Sequence, residues 1–598
     1  MGEIMPNYQN ILLVYPKVPD NTYWSFKYAL KFIRKKSAMP PLGLITVAAL
    51  FPEKYNLKLV DLNIENLSDE DIRWADAVFV SAMIVQQESM REIVERCRSL
   101  ETKVVAGGPY ANSSHEEIEG VDHFVLGEVE ETLHEFLADL ERGEARDLYP
   151  MPPHPDISNA PTPRFDLLKI KDYGSMAIQY SRGCPFHCEF CDIWTVYGNK
   201  PRLKSADAMI AEIDTLYRQG WRGGVFLVDD NFIGNKRRVK AELLPALKEW
   251  QAARGYPFHF FTEASINMAS DDELLKAMQE AGFNEVFIGI ETPDAESLEE
   301  TGKIQNLRTD MDTAVQHIQK YGIEVMAGFI VGFDHDKPDI FDRQIDFIQR
   351  NGIPKAMIGL LTALPGTRLY QRLKEEGRLI GSSIGNNTHV LSTNFKTMMD
   401  GAHIREGYKK ILASIYDFRM KNYFVRCNQL FDNIEDTSYF QRQIHFKEFT
   451  YFLKSLFRQS FSPYGLQYLK FLTRNFFKHR DIFGEAVSMG ITGHHFHVIT
   501  RQTIKKDKIA SYLETKYRDF VSLVNRYSRT LMDNSMENID AAAKLWKARN
   551  KFLKKMQNKI NKIPRDFRDD LNNRYAEISK QMREMMNRFE QKALPAPE

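Results

Sequence analysis

From residue 9 to about 148 the chain alternates short, mostly apolar runs with longer stretches of helical period. The runs are Ile11–Val14, Leu57–Val60, Ala77–Val80, Lys103–Ala106 and His123–Leu126. Apolar residues on consecutive positions fit strands covered on both faces, and the helical stretches between them supply the cover. The pattern predicts an α/β fold that opens with a doubly wound, Rossmann-like sheet over residues 1–146, its ligand crevice outside the carboxyl ends of the strands. Those ends carry Tyr15, Asp61 and Asn63, Ser81 and Met83, Gly107 and Gly108, and Gly127 and Glu128. Paired glycines there let a ligand approach the backbone closely.

The polar, proline-rich segment 147–172 reads as a linker that wraps rather than folds. From 173 to 400 six further runs recur between helical stretches: Met176–Gln179, Gly224–Val228, Phe258–Phe261, Glu285–Ile288, Val325–Val331 and Ala356–Leu361. Six β-α units in succession predict a partial (β/α)6 barrel with its chemistry at the carboxyl ends of the strands. Beyond 400 the strand pattern stops, and 401–598 reads as an α-helical extension. Within it Phe449–Arg458 and Gln467–Lys478 mix aromatic and leucine positions with Lys and Arg. Such stretches suit a helix packed on its neighbour, a membrane surface or a cover for an apolar substrate. The tail from Ala541 to Gln591 is charge-mixed and reads as a solvated helical hairpin or an interaction arm.

Composition sets limits. A chain of 598 residues exceeds one core and should hold roughly three to four domains. With 43% hydrophobic residues, 27% charged and a net charge of zero, it offers no electrostatic case for a nucleic-acid partner. Apolar runs such as Pro41–Phe51 fall short of the roughly 18 residues that span a bilayer. The start of the chain lacks a signal-peptide pattern, so a cytoplasmic location is expected. Cys97 and Cys427 lie in helical stretches and are expected to be inert thiols rather than a disulfide.

The chemistry concentrates in Ser181–Cys191, where Cys184, Cys188 and Cys191 stand in C-x3-C-x2-C spacing after the first barrel run. Three thiolates can hold three irons of a cubane [4Fe-4S] cluster and leave the fourth open to a ligand. The rivals are three unrelated core cysteines and a structural zinc with His187 or a distant fourth ligand, although the paired Cys or His groups of zinc sites are absent. Asp229 and Asp230 follow the second barrel run, Glu263 the third and Glu291 the fourth. Gly328 and Gly332 lie on the fifth, and Leu364–Tyr370 follows the sixth. The paired aspartates also have a plain reading as helix caps. His494, His495 and His497 cluster without an acidic or cysteine partner nearby and are assigned no function.

The cysteine spacing resembles the signature of radical S-adenosylmethionine (SAM) enzymes, with Phe190 at the aromatic position before the last cysteine. The resemblance implies that the open iron chelates SAM and that Phe190 lies against the adenine. It implies Asp229 and Asp230 near the amino group of SAM, Glu263 and Glu291 at the ribose hydroxyls and carboxylate, and Gly328 and Gly332 supporting the adenine. The first segment, with Pro40–Leu50 opening its first long helix, resembles the cobalamin-binding domain upstream of many such barrels. This implies cobalamin at the strand ends that carry Tyr15, Asp61, Asn63, Ser81, Met83, Gly107, Gly108, Gly127 and Glu128. That domain's D-x-H-x-x-G element sets a histidine below cobalt; here Asn63 occupies the position, so no histidine ligand is expected from this loop.

The whole plan resembles the class B radical SAM methyltransferases, and within them the hopanoid C-2 methylase-like proteins. It implies methylation of an unactivated carbon of a lipid or other small molecule with a 5′-deoxyadenosyl radical and methylcobalamin. A reductant such as flavodoxin or ferredoxin and peripheral membrane contact through the C-terminal helices go with that reading. Three alternatives stay open: a first domain that has lost its corrinoid, ring formation, rearrangement or carbon-carbon coupling with the same cofactors, and a cluster and corrinoid redox sensor. Methylthiolation of RNA calls for a second three-cysteine set in the first domain, which holds only Cys97.

Overall fold

A computed structural model describes residues 8–158, 160–435, 446–530 and 535–593. The chain divides into two compact units, Met1–His497 and Val498–Glu598. Residues 1–7 and 594–598, the ends of the expected first and last segments, lie outside the described residues.

Strands β1 (Asn10–Tyr15), β2 (Asn56–Asp61), β3 (Ala77–Ser81), β4 (Lys103–Gly107), β5 (His123–Val125) and β6 (Leu148–Tyr149) form one parallel sheet in the order β2-β1-β3-β4-β5-β6. Side chains alternate across the pleat. Leu12, Val14, Val78 and Val80 go to one face, against Met90, Ile93 and Val94 of the helix Gln87–Ser99. Ile11, Leu13, Ala77 and Phe79 go to the other, with Leu44 and Phe136 of the helices Leu42–Ala48 and Thr132–Arg142. Both faces are dry, which is why the runs are apolar at successive positions. Between β2 and β3 the chain crosses from one side of β1 to the other, so the switch point falls at the carboxyl ends of β1 and β3.

Strand β6 corrects the expected linker. Leu148 and Tyr149 pair with β5, and Tyr149 is fully buried with its ring centre 5.2 Å from that of Phe136. Two residues carry too little periodicity to stand out before the prolines that follow.

Next come β7 (Met176–Ile178), the short antiparallel ribbon β8 (Ser181–Arg182) with β9 (Arg202–Leu203), and β10 (Gly223–Leu227), β11 (Phe258–Glu263), β12 (Phe283–Glu291), β13 (Glu324–Val331) and β14 (Ala356–Leu360). A parallel sheet in the order β14-β13-β12-β11-β10-β7 forms the partial barrel. Phe258, Phe260 and Thr262 are buried on the helix-covered side, where Trp250 stacks 5.2 Å from Phe258. His259, Phe261 and Glu263 alternate to the inner side and are only partly buried. Gly328 shares that inner wall, since a Cβ there would meet the Phe287 ring at 2.9 Å.

Helices follow from residue 401, including Phe446–Ser460, Gly465–Lys478 and Phe483–Arg529. In the second unit Ser535–Ile560 and Asp569–Ala593 bury Leu545, Met556, Met582 and Phe589, so the tail is a packed hairpin rather than a merely solvated one. Among the described residues no helix is long and apolar enough to cross a membrane.

Candidate functional site

The three cysteines sit on the loop that leaves β8. Gly183 turns the chain into it with φ +94°, and a Cβ there would meet Gly198 O at 2.8 Å and Tyr197 O at 2.9 Å, so the position needs glycine. The loop is held from three sides. Gly183 N–H donates to Asp230 Oδ2 (2.9 Å) and Cys184 N–H to Gly198 O (3.2 Å). Glu189 N–H donates to Thr301 O (2.9 Å), and Leu369 N–H, from the motif after β14, donates to Glu189 O (3.0 Å). Arg372 closes the third side with two bonds to the Glu189 carboxylate, at 2.7 and 3.1 Å.

Burial pushes the Cys184 and Cys191 thiols up, which favours neutral sulfur until a cation or metal compensates. Lys303 is such a cation. Its Nζ donates to Glu291 Oε1 (2.6 Å) and lies 5.9 Å from the Phe190 ring centre. Burial pulls the ammonium down, but the Glu291 charge outweighs this and keeps it protonated. Glu291 has φ +63° where the β12–β13 register shifts, a conformation that a non-glycine residue adopts only when its surroundings impose it. A Cβ on Gly289 would meet Glu291 Oε1 at 2.2 Å and Lys303 Nζ at 2.8 Å, so this glycine makes room for the pair. Phe190 lies 6.1 Å from Phe333, which follows Gly332 at the end of β13.

Asp229, Asp230 and Glu263 crowd at the ends of β10 and β11. Burial first, then the charges of the two aspartates, pushes Glu263 up to about 8. Burial likewise raises Asp230 to about 6 and Asp229 to about 7. Asp229 departs from its expected place at the amino group of SAM. Its Oδ1 accepts from Tyr180 N–H (2.8 Å) and its Oδ2 from the Ser181 hydroxyl (2.7 Å), which ties β10 to the start of the cysteine ribbon. By contrast Asp230 Oδ1 and both Glu263 oxygens have no hydrogen-bond partner among the described residues.

At the switch point Ser81 Oγ makes no hydrogen bond among the described residues, and Met83 is 40% exposed. Gly108 has φ +82°, and a Cβ there would stand 2.2 Å from Ser81 Oγ. Gly107 lies against Val125 O and Gly127 against Met151, each too close for a side chain. Asn63 shapes the loop after β1: its Nδ2 donates to Pro16 O (3.3 Å) and Asp61 Oδ1 (2.7 Å), and its Oδ1 accepts from Val18 N–H (2.9 Å). Tyr15 is pushed up to about 12 by burial and the nearby Asp61 charge.

Two carboxylates expected in this crevice are engaged elsewhere. Asp61 is buried and accepts from the Tyr173 hydroxyl (2.9 Å), on the chain that leads into β7. Glu128 accepts from Arg202 Nη2 (2.6 Å) and Nη1 (2.9 Å) and from Arg182 Nη1 (2.6 Å), with His154 Nδ1 at 3.2 Å. Burial pushes its carboxyl up, but the guanidiniums outweigh this and hold it below the usual range. Tyr173 and Asn63 thus fill the Asp61 oxygens, and arginines from the ribbon that carries the cysteines fill those of Glu128.

Residues 33–137 match the B12 binding domain, 178–348 the Radical SAM superfamily and 367–508 a domain of unknown function, DUF4070. The chain is 45% identical over 408 residues to an uncharacterized methyltransferase of Synechocystis sp. (strain ATCC 27184 / PCC 6803 / Kazusa), covering 68% of this chain and 76% of that protein. It is 37% identical over 377 residues to the hopanoid C-2 methylase of Rhodopseudomonas palustris (strain TIE-1), covering 62% and 71%. The chain belongs to the cobalamin-binding radical SAM methyltransferases. Among solved structures, the cobalamin-dependent SAM radical enzyme OxsB matches this methyltransferase with a TM-score of 0.55 at 16% identity, over 84% of this chain and 81% of that one. TsrM from Kitasatospora setae matches at 0.51 and 15%, over 76% and 96%. At these identities the likeness speaks for the fold.

The methyltransferase's cofactors are a [4Fe-4S] cluster, SAM and cobalamin, and the residues present suit each. Cys184, Cys188 and Cys191 are free thiols on one loop, and a cubane takes one iron per thiolate. The partnerless oxygens of Asp230 and Glu263 suit a cationic ligand such as SAM. The Ser81 hydroxyl and the close-packed glycines leave backbone and a donor at the crevice where a corrin would lie. Lys303, Arg182, Arg202 and Arg372 escaped the sequence reading, because a lone basic residue carries no motif and its partners are far along the chain. The histidine cluster is structural: His495 Nε2 donates to Tyr23 O (3.1 Å), and burial lowers His495 to about 3 and His494 to about 4. It anchors the segment that sets Trp24 5.4 Å from Phe287.

Proposed function

We propose that this methyltransferase acts on an unactivated carbon of an apolar, lipid-like small molecule bound in the hollow of the barrel. The joint use of corrin and cluster rests on the Arg182–Glu128 and Tyr173–Asp61 contacts, which set the carboxyl edge of the first sheet beside the cysteine ribbon, and the apolar substrate rests on the aromatic inner wall. When bound, the cluster and SAM supply a 5′-deoxyadenosyl radical and cobalamin supplies a methyl group. On this reading the segments of the chain act in turn as corrin holder, connector, radical barrel and helical cover.

The chain's own residues bind, orient and exclude water. Cys184, Cys188 and Cys191 hold the cluster, and Arg372 fixes their loop through Glu189. Asp230 and Glu263 would face the positive end of SAM, the Glu291–Lys303 pair its carboxylate and ribose, and Phe190 with Phe333 and Gly332 its adenine. Ser81, Met83, Gly107, Gly108 and Gly127 line the corrin, with Asn63 and Tyr15 shaping the loop beside it. Flat apolar surfaces on the inner wall support an apolar substrate: Phe226 stacks on Phe261 at 4.8 Å, and Trp24 and Phe287 adjoin. A low-potential donor such as flavodoxin or ferredoxin completes the system and argues for a cytoplasmic site of action. A membrane-peripheral position suits a substrate that resides in lipid.

The test is anaerobic incubation of cobalamin-loaded enzyme with methyl-labelled SAM, a reductant and a total lipid extract. Label in the organic phase that depends on Cys188 supports the reading; label confined to polar products overturns the substrate class.

A further inference from the structure

The helix Phe446–Ser460 is inside out. Its described exposed positions include Phe449 (51% exposed), Leu453 (46%) and Phe457 (74%), a stripe at four-residue spacing that Phe461 (80%) continues. Polar Ser455 and Gln459 lie on the buried side, where the Ser455 hydroxyl and Tyr468 hydroxyl are 2.8 Å apart and Gln459 Nε2 donates to Ser455 Oγ (2.7 Å). The next helix, Gly465–Lys478, exposes Leu466 (66%) and Phe477 (79%). Ring contacts join the two helices through Phe449, Phe452, Phe483, Phe476 and Phe477, each step 5.3–6.4 Å between centres. Proteins that stay monomeric in water rarely leave so continuous an apolar face uncovered.

Charge selects the occupant. From Phe449 to Arg480 the chain carries Lys454, Arg458, Lys470, Arg474, Lys478 and Arg480 and no Asp or Glu; Asp432 pairs with Arg474 and Lys478, which leaves the surface an excess of positive charge at Lys454, Arg458, Lys470 and Arg480. A second copy would bring like charge to like charge, whereas anionic headgroups meet the cations while the phenylalanines enter the acyl boundary. We propose that this helical pair docks the enzyme on an anionic bilayer, with Phe457, Phe461, Leu466 and Phe477 inserting and Lys470 and Arg480 on the headgroups. The lipid-substrate reading makes such docking useful, but the surface argument stands apart from it.

The experiment is co-sedimentation of the full chain with phosphatidylcholine vesicles and with vesicles containing phosphatidylglycerol, alongside its mass in solution. The variants are the triple change Phe457→Ser, Phe461→Ser, Phe477→Ser and the double change Lys470→Glu, Arg480→Glu. All five side chains are exposed. Wild type should favour the anionic vesicles at least about tenfold and lose this with salt; each variant should lose at least about tenfold in binding. Deoxyadenosine formation without vesicles should be unchanged in both variants, which separates a failure of docking from a failure of the cofactor reading. Equal binding by wild type and triple variant, no binding by wild type, or a wild-type dimer that the triple variant dissolves would overturn the proposal.

Discussion

Arg182 Nη1 stands 2.6 Å from Glu128 Oε2 and 2.6 Å from Glu130 Oε1, with the Arg182 and Glu128 side chains only 11% and 5% exposed. One residue further on, Gly183 begins the turn to Cys184, so the cysteine ribbon and the fifth strand of the first sheet share a buried ionic joint.

Removing one partner strips charge-assisted bonds from the other without stranding it, since Arg202 still holds Glu128 and Glu130 still holds Arg182, and this costs about 1.5–3 kcal/mol. Arg182→Ala and Glu128→Ala should each lower the denaturation midpoint of the apoprotein accordingly. The double variant should lose less than the sum of the two. A loss below about 1 kcal/mol in each single variant would show that water reaches the joint.

Gly289→Ala places a methyl group where Glu291 and Lys303 meet. The pair must shift by an ångström or more, a displacement that costs roughly a hundredfold where positioning governs rate. SAM cleavage, read as 5′-deoxyadenosine, should fall by about that factor while iron content stays at the wild-type level. Unchanged cleavage would separate this pair from the SAM site.

Glu263 gives a pH signature. Its carboxyl is raised from the ordinary 4.5 to about 8, so the folded protein keeps a proton that the unfolded chain releases. The associated stability is complete below the lower value and is lost as pH rises through the higher one. Glu263→Gln cannot ionise, and between pH 5 and pH 8.5 it should gain about 1–3 kcal/mol on wild type in apoprotein melts. A bound cation such as SAM should narrow that gap. A difference flat with pH would mean Glu263 is solvated.

Cys188→Ala should abolish SAM cleavage and lower bound iron while cobalamin retention stays at the wild-type level, because the corrin crevice lies on another sheet. Retained deoxyadenosine formation would remove the cluster from this loop.

The sheets and the cysteine loop were legible because their signals are local: runs of Ile, Leu and Val, and three thiols within one loop. Glu291 stands at the end of a strand recognisable for the same reason. Long-range partners were not. Asp229, Asp61 and Glu128 stand at strand ends as a ligand site requires, yet Ser181, Tyr173 and the two ribbon arginines take their oxygens. Nothing near Lys303 in sequence marks it as the ammonium that meets Glu291. The inverted helix at Phe449–Phe461 was legible as amphipathic, but which side faced water depended on Tyr468 drawing Ser455 inward.

The central claim is that one compact unit holds a corrin crevice and a three-thiol cluster loop side by side. It is tested most directly by measuring cobalamin and iron in protein purified without oxygen from cells supplied with hydroxocobalamin. The account predicts about one cobalamin and about four irons per chain. A full iron complement with cobalamin near zero would contradict it and leave the first sheet as a lid over a radical SAM barrel.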